Sequence, residues 1–464
     1  MNFWDTQTWS FILLCAVLLG SLIVANSLKQ LIAPLRKSLI PSSVLGGLIL
    51  LALSTAFKLV TGDYLFNLGA FTSGKEITGM NMLENITYHC LAIGFIAMSL
   101  KQGKKKFGKK RAGEIFDTGV TTVSTYLLQA FLGIAVTIGL AAFIPGLIKA
   151  SGIILALGYG QGTGQALNYG TIYEEYGLVG GDSFGLAIAA LGFLSASIFG
   201  VVYLNSLERK GLIKATDEAE ARLTPGEVEG ENEIPMSASV DKFTVQVGFI
   251  ICSYAIAYLV MYFLGNVIGE GMKATIYGFN FLLGTLVAVL LKWIYNKLRA
   301  RNVIKREYIN NFMLSRISGF AFDVMIVAGI AAIQIDLIAD YWYTLLILGL
   351  LGAGITYMYL RFICKKLFPE YEHEQFLAMF GMLTGTASTG MILLREADKN
   401  FTSPASENLV YQNFPAIVFG FPIMLIVSYA PTSDLATYIT LAVCISAFIV
   451  MNIVLFRRQI FKKK

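Results

Sequence analysis

Long apolar runs, punctuated by short basic clusters, set the rhythm of this chain. One set lies at about 9–28, 40–60, 86–100, 118–144 and 184–204, and a second at about 243–265, 274–296, 317–335, 341–360, 409–429 and 435–456. Most of these runs are close to the ~20 residues a helix needs to cross a hydrocarbon core, so the pattern predicts about eleven transmembrane helices. Two weaker segments, about 151–172 and 376–394, are uncharged but rich in Gly and Thr. The first contains ALGYGQGTGQALNYG, Ala156 to Gly170. A charged stretch at about 205–242 separates the two sets and reads as a solvated, flexible linker.

The basic clusters decide what the weak segments do. KQGKKKFGKKR, Lys101 to Arg111, carries seven basic residues, and five more lie between Lys297 and Arg306. Further basic pairs stand at Arg36–Lys37, Arg209–Lys210 and Lys365–Lys366, and the chain ends RRQIFKKK. Basic loops stay on the cytoplasmic side. All of these clusters share one side only if neither weak segment crosses. Both segments are therefore expected to dip into the bilayer and return, as re-entrant hairpins.

The resulting order is five spans with a hairpin between the fourth and fifth (1–204), a cytoplasmic linker (205–242), and five more spans with a hairpin in the same place (243–432). An extra span and a basic tail follow (433–464). The first set begins outside and the second inside, which is an inverted duplication of five helices. The fold class expected is an all-α integral membrane protein, with its N-terminus outside and its C-terminus in the cytoplasm. Gly158, Gly162, Thr163 and Gly164 repeat the spacing of Gly381, Gly385, Thr386 and Ala387. Non-helical backbone at membrane depth is tolerated only where protein or a wet cavity satisfies it. Hairpin tips offer free amides to a carboxylate, and carbonyl and hydroxyl oxygens to sodium.

Composition narrows the function. The chain has 464 residues, 56% hydrophobic and only 14% charged, with a net charge of +6 that the juxtamembrane clusters explain. MNFWDTQTW lacks the basic start of a signal peptide, so the first run is expected to be retained. The five cysteines are scattered through apolar runs and form no Cys-x-x-Cys pair, so they imply neither a disulfide framework nor a metal site. With two histidines, no Walker A sequence and no Gly-x-Ser-x-Gly elbow, neither ATP hydrolysis nor intramembrane hydrolysis has visible machinery. An enzyme is not expected. A cation filter at Gly158–Gly160 would want Thr-Val ahead of it, where Ala156-Leu157 stands.

IPSSVLGGLIL (Ile40–Leu50), GYGQGTGQALNYGTIYEEYG (Gly158–Gly177) and GMLTGTASTGMILLREAD (Gly381–Asp398) resemble the bacterial sodium/glutamate symporter family. The resemblance implies a homodimer in the inner membrane that imports glutamate, or a related small anionic amino acid, together with sodium. A carrier of a dicarboxylate or 2-hydroxycarboxylate is the alternative within transport. The substrate-binding residues expected are Gln161, Gly162, Thr163, Gly164, Gln165, Gly385, Thr386, Ser388, Thr389 and Arg395. Arg395 would pair a substrate carboxylate through its fork, or else pair with Glu396 or Asp398. Sodium ligands are sought at Asp323, Asn168 and Thr386. Asp323 is the least expected residue, a carboxylate in SGFAFDVMIVAGIAA that costs on the order of 3 kcal/mol in a membrane unless partnered. Its plainer role is a structural carboxylate capped by Ser315, Ser318 or backbone. Glu174 and Glu175 close the first hairpin as a solvated pair. His89 is expected to be packed and hydrogen-bonded, and His373 solvated.

Overall fold

The computed structural model describes residues 3–72, 77–102, 108–213, 233, 240–269, 273–398 and 403–460. Parts of the Lys101–Arg111 loop, most of the 205–242 linker and the last four residues lie outside these. Among the described residues the chain forms helices and no strand. Eleven helices among the described residues are long and apolar enough to cross a membrane.

The long helices are α1 (Thr6–Leu31), α2 (Ser42–Thr61), α3 (Gly79–Leu100) and α4 (Lys109–Leu140). Two short helices follow, α5 (Ile154–Gln161) and α6 (Thr163–Glu174), then the long α7 (Gly181–Arg209). After the linker come α8 (Lys242–Ile268), α9 (Asn280–Ala300), α10 (Asn311–Ala331) and α11 (Trp342–Leu367). A second short pair, α12 (Glu372–Leu383) and α13 (Ala387–Ala397), precedes α14 (Asn413–Tyr429) and α15 (Asp434–Leu455). The two weak segments thus become two broken pairs of short helices, while each apolar run yields one long helix. The runs at 274–296 and 409–429 begin with a separate short turn of helix (Lys273–Gly278 and Ala405–Tyr411).

Large apolar side chains stand exposed along the long helices, among them Ile23, Leu59, Phe263, Leu350, Met358 and Ile449. Apolar surface on that scale belongs against lipid.

The chain divides into two compact units, and the division runs through α3 and α10. Unit 1 takes in residues 1–84, 107–217 and 326–464, so it draws on both halves of the sequence. Its core gathers Phe376, Phe380, Leu383 and Leu393 of the second short pair with Val120, Leu204 and Leu360 of α4, α7 and α11. Unit 2 comprises residues 85–106 and 218–325. Its core packs Ile96, Ile250, Ala288 and Leu314. It also binds one linker residue: Glu233 pairs with buried Lys242 at 2.8 Å and accepts from Asn310 Nδ2 at 2.7 Å. At that point the linker is anchored rather than solvated.

Candidate functional site

Both short pairs belong to unit 1. The first begins and ends at the same end of the unit. Lys149, just ahead of α5, pairs with Asp434 at 2.5 Å, and Tyr173, in the last turn of α6, donates to the Val427 carbonyl at 2.9 Å. Both partners flank the short α14–α15 connection. The second pair begins and ends at the end where α4 starts. Tyr371, ahead of α12, donates to Glu114 Oε2 at 3.1 Å, and the Pro404 carbonyl, beyond α13, accepts from Arg111 at 2.8 Å. α4 runs the length between these two ends.

The breaks in the two pairs meet. A Cβ added to Gly162 would lie 3.3 Å from Thr386 Cγ2 and 3.6 Å from the Gly385 carbonyl oxygen. Small residues make the approach possible. The α12–α13 pair closes with Gly381 against Gly390, where an added Cβ would sit 2.7 Å from Cα. Gly170 of α6 packs against the Gly181 carbonyl of α7, and Gly192 of α7 against the Thr384 carbonyl. Such close backbone contact is how helices associate without a hydrophobic driving force.

The two breaks are built differently. Gly162 has φ +82° and ψ −170°, a conformation that glycine alone adopts readily, and it starts α6 without any side-chain cap. The first amides of α6 therefore keep their positive end unmasked by any side chain. Thr386 has extended backbone, φ −139°, and caps α13 by accepting from Thr389 N–H.

Polar atoms collect at the junction. Thr163 and Gln165 are almost completely buried, and neither Thr163 Oγ1 nor either amide atom of Gln165 has a hydrogen-bond partner among the described residues. Gln161 is half-buried, and Gly162 and Gly164 are buried. Across the junction Gly385 and Thr389 are buried, Thr386 is half-buried and Ser388 is exposed. Asn168 is buried one and a half turns into α6.

Two expected residues differ from these in setting. Arg395 is exposed in the last turn of α13, nine residues past Thr386 and so roughly 13 Å along the helix at ~1.5 Å per residue. Asp323 is exposed on α10 in the stretch assigned to unit 2, whereas every tip residue belongs to unit 1.

Glu174 ends α6 beside Asp182, whose backbone N–H lies 3.4 Å from its carboxylate. Loss of hydration, then the charge of Asp182, pushes the Glu174 carboxyl up to about 7. Glu174 therefore shares an acidic contact with Asp182 instead of a solvated pair with Glu175. His89 is hydrogen-bonded as expected, with Nδ1 2.9 Å from Tyr254 OH, but the residue is exposed rather than packed. His373 departs from expectation: its Nδ1 lies 2.8 Å from Tyr203 OH.

Sequence reading passed over Gln129. It lies in the middle of α4, fully buried, and donates to the Leu383 carbonyl at 2.9 Å beside the second break. The available signal was a lone amide within the apolar run YLLQAFLG.

Compared with known proteins, no family model matches the chain, and no curated protein matches it.

Proposed function

We propose that the protein is a sodium-coupled secondary active transporter, importing glutamate or a related small anionic amino acid by alternating access. The observation that carries this reading is the meeting of the two breaks at Gly162 and Thr386, with buried polar atoms of Thr163 and Gln165 left without partners among the described residues. On this reading the short pairs are re-entrant hairpins that enter from opposite faces of the inner membrane, and the two halves of the sequence are inverted repeats. The N-terminus is then outside and the C-terminus cytoplasmic. The motif resemblance to sodium/glutamate symporters adds the substrate class and a homodimer.

The chemistry follows from what each tip has to give. The uncapped start of α6 presents the amides of Thr163, Gly164 and Gln165, whose aligned dipoles suit a carboxylate. Thr386, Ser388 and Thr389 at the start of α13, with Asn168 on α6, supply neutral oxygens suited to sodium. Asp323 remains the proposed acidic sodium ligand and Arg395 the proposed second anchor for a dicarboxylate.

The test is uptake of radiolabelled glutamate into proteoliposomes with and without an inward sodium gradient, with aspartate and citrate as competitors. Saturable uptake that needs the gradient supports the reading. Sodium-dependent uptake competed only by citrate keeps the mechanism and changes the substrate to a carboxylate without an amino group. Absence of sodium dependence for every solute tried overturns it. Flux that never saturates points to a channel.

A further inference from the structure

The side-chain amide of Gln129 can make four hydrogen bonds, two from nitrogen and two to oxygen. Nε2 donates to the Leu383 carbonyl at 2.9 Å and to Thr356 Oγ1 at 2.8 Å. Because the Leu383 carbonyl only accepts, nitrogen must face it, and the network fixes which way the amide points. That leaves Oε1 on the side of Gly160, where a Cβ added to the glycine would lie 3.4 Å from it. Oε1 is buried and has no hydrogen-bond partner among the described residues.

The position of this oxygen is what gives it meaning. Leu383 immediately precedes Thr384 at the second tip, and Gly160 lies two residues before Gly162 at the first. One amide therefore touches both tips, its nitrogen engaged and its oxygen idle. An orphaned buried acceptor is destabilising, a cost that a Met or Leu of similar volume would avoid. At the start of α6, Thr163 Oγ1 and both amide atoms of Gln165 are likewise buried without a hydrogen-bond partner among the described residues. With Gln129 Oε1, these idle groups carry more acceptor than donor capacity, since each oxygen can accept twice.

We propose that Gln129 Oε1 is a ligand for a cationic group held between the two tips, either a sodium ion or the ammonium of an amino-acid substrate. Its nitrogen locks the amide in register by holding the Leu383 carbonyl, so the oxygen is presented in one orientation. This rests on the transport reading above and extends it to a residue on α4, which no part of either Gly-rich motif includes.

The experiment uses full-length protein in proteoliposomes and compares the wild type with Gln129→Met and Gln129→Glu. Sodium half-saturation is measured at saturating glutamate. The half-saturation constants of glutamate and of the deaminated dicarboxylate glutarate are measured at saturating sodium. If the cation is sodium, Gln129→Met raises sodium half-saturation tenfold or more and Gln129→Glu lowers it. If the cation is the ammonium, the same variants move the glutamate constant in those directions and leave glutarate unchanged. Wild-type response with every constant unmoved in the variants overturns the proposal and leaves transport standing, as does a fall in maximal rate alone. Should Gln129→Met fail to assemble, Gln129→Glu decides by itself, since an added carboxylate at a cation must shift its affinity. A wild type without sodium response or saturable uptake overturns the transport reading and this proposal together.

Discussion

The two breaks look alike in sequence and are opposite in construction. At the first, Gly162 turns with φ +82° and offers α6 no cap, while Thr163 and Gln165 keep buried polar atoms without partners. At the second, Thr386 caps α13 from ordinary extended backbone, and Ser388 reaches the surface. Repeated spacing of small residues thus reports close approach, which both tips need. It does not report where hydrogen-bonding capacity is left over. The second tip satisfies itself; the first is poised for something else to satisfy it.

The sharpest way to break that contrast is to add one methyl group at each tip's key position. Gly162→Ala forces an L-residue into a glycine-only region, at a cost of about 1–3 kcal/mol, and brings a methyl within 3.3 Å of Thr386. Uptake is expected to fall by about a hundredfold, with a lower melting temperature in detergent. Gly385 has no positive φ to protect, although an added methyl there meets the Phe193 ring edge of α7 at 3.0 Å and the Gly381 carbonyl and Thr389 Oγ1 at 3.1 Å. It is expected to retain considerably more uptake. Equal losses in the two variants would remove the asymmetry.

A smaller effect is expected at the cap. Thr386→Ala removes the side-chain acceptor from Thr389 N–H, worth about 1 kcal/mol, and Thr386→Ser restores it. Melting temperature should drop in the first variant and recover in the second. If Thr386 also binds sodium, uptake at limiting sodium follows the same order. Recovery of stability without recovery of sodium affinity would assign Thr386 to capping alone.

How much of this was legible beforehand varies by element. The eleven long helices follow from apolar length, because a span must hide its own backbone and nothing else in the chain can. The two broken pairs follow from Gly and Thr interrupting that pattern at matching places. What the residue pattern could not carry is the contact between them. Gly162 meets Thr386 across more than two hundred residues, and that proximity depends on α4, α7 and α12 packing as they do. Gln129 stayed hidden for the same reason: one amide in an apolar run gains significance only when the Leu383 carbonyl and Gly160 are placed beside it. For Arg395 the residue order shows its place after the tip but not its reach, and nine residues of helix set it about 13 Å past Thr386. His373 sits in an acidic sequence, yet Tyr203 approaches from α7 and takes up its nitrogen.

Asp323 sharpens the comparison from the other side, because it is the one proposed ligand outside unit 1. Asp323→Asn is expected to leave uptake intact at saturating sodium and to reduce it several-fold at limiting sodium. Normal uptake under both conditions would confine the ion to neutral oxygens of unit 1.

The mildest effect concerns the far end of α6, where the first pair closes on Glu174. With its carboxyl raised to about 7 by lost hydration and the Asp182 charge, against an ordinary value of 4.5, folded protein holds this proton over a range where unfolded chain has released it. Stability linked to Glu174 is therefore fully present below about pH 4.5 and falls as pH rises through about 7. Only the end of the side chain against Asp182 loses water while the residue as a whole is exposed, so solvent screening keeps the effect small. Glu174→Gln stays neutral throughout and should lessen the fall in melting temperature between pH 5 and 8 without abolishing it, because Glu84 joins Glu174 and Asp182 in the same acidic cluster. It should match the wild type most closely at the acidic end. Glu175→Gln, lacking the Asp182 contact, should leave the wild-type slope in place. If both variants flatten it equally, the slope belongs to the acidic surface as a whole, and the closure of the first pair has no proton of its own.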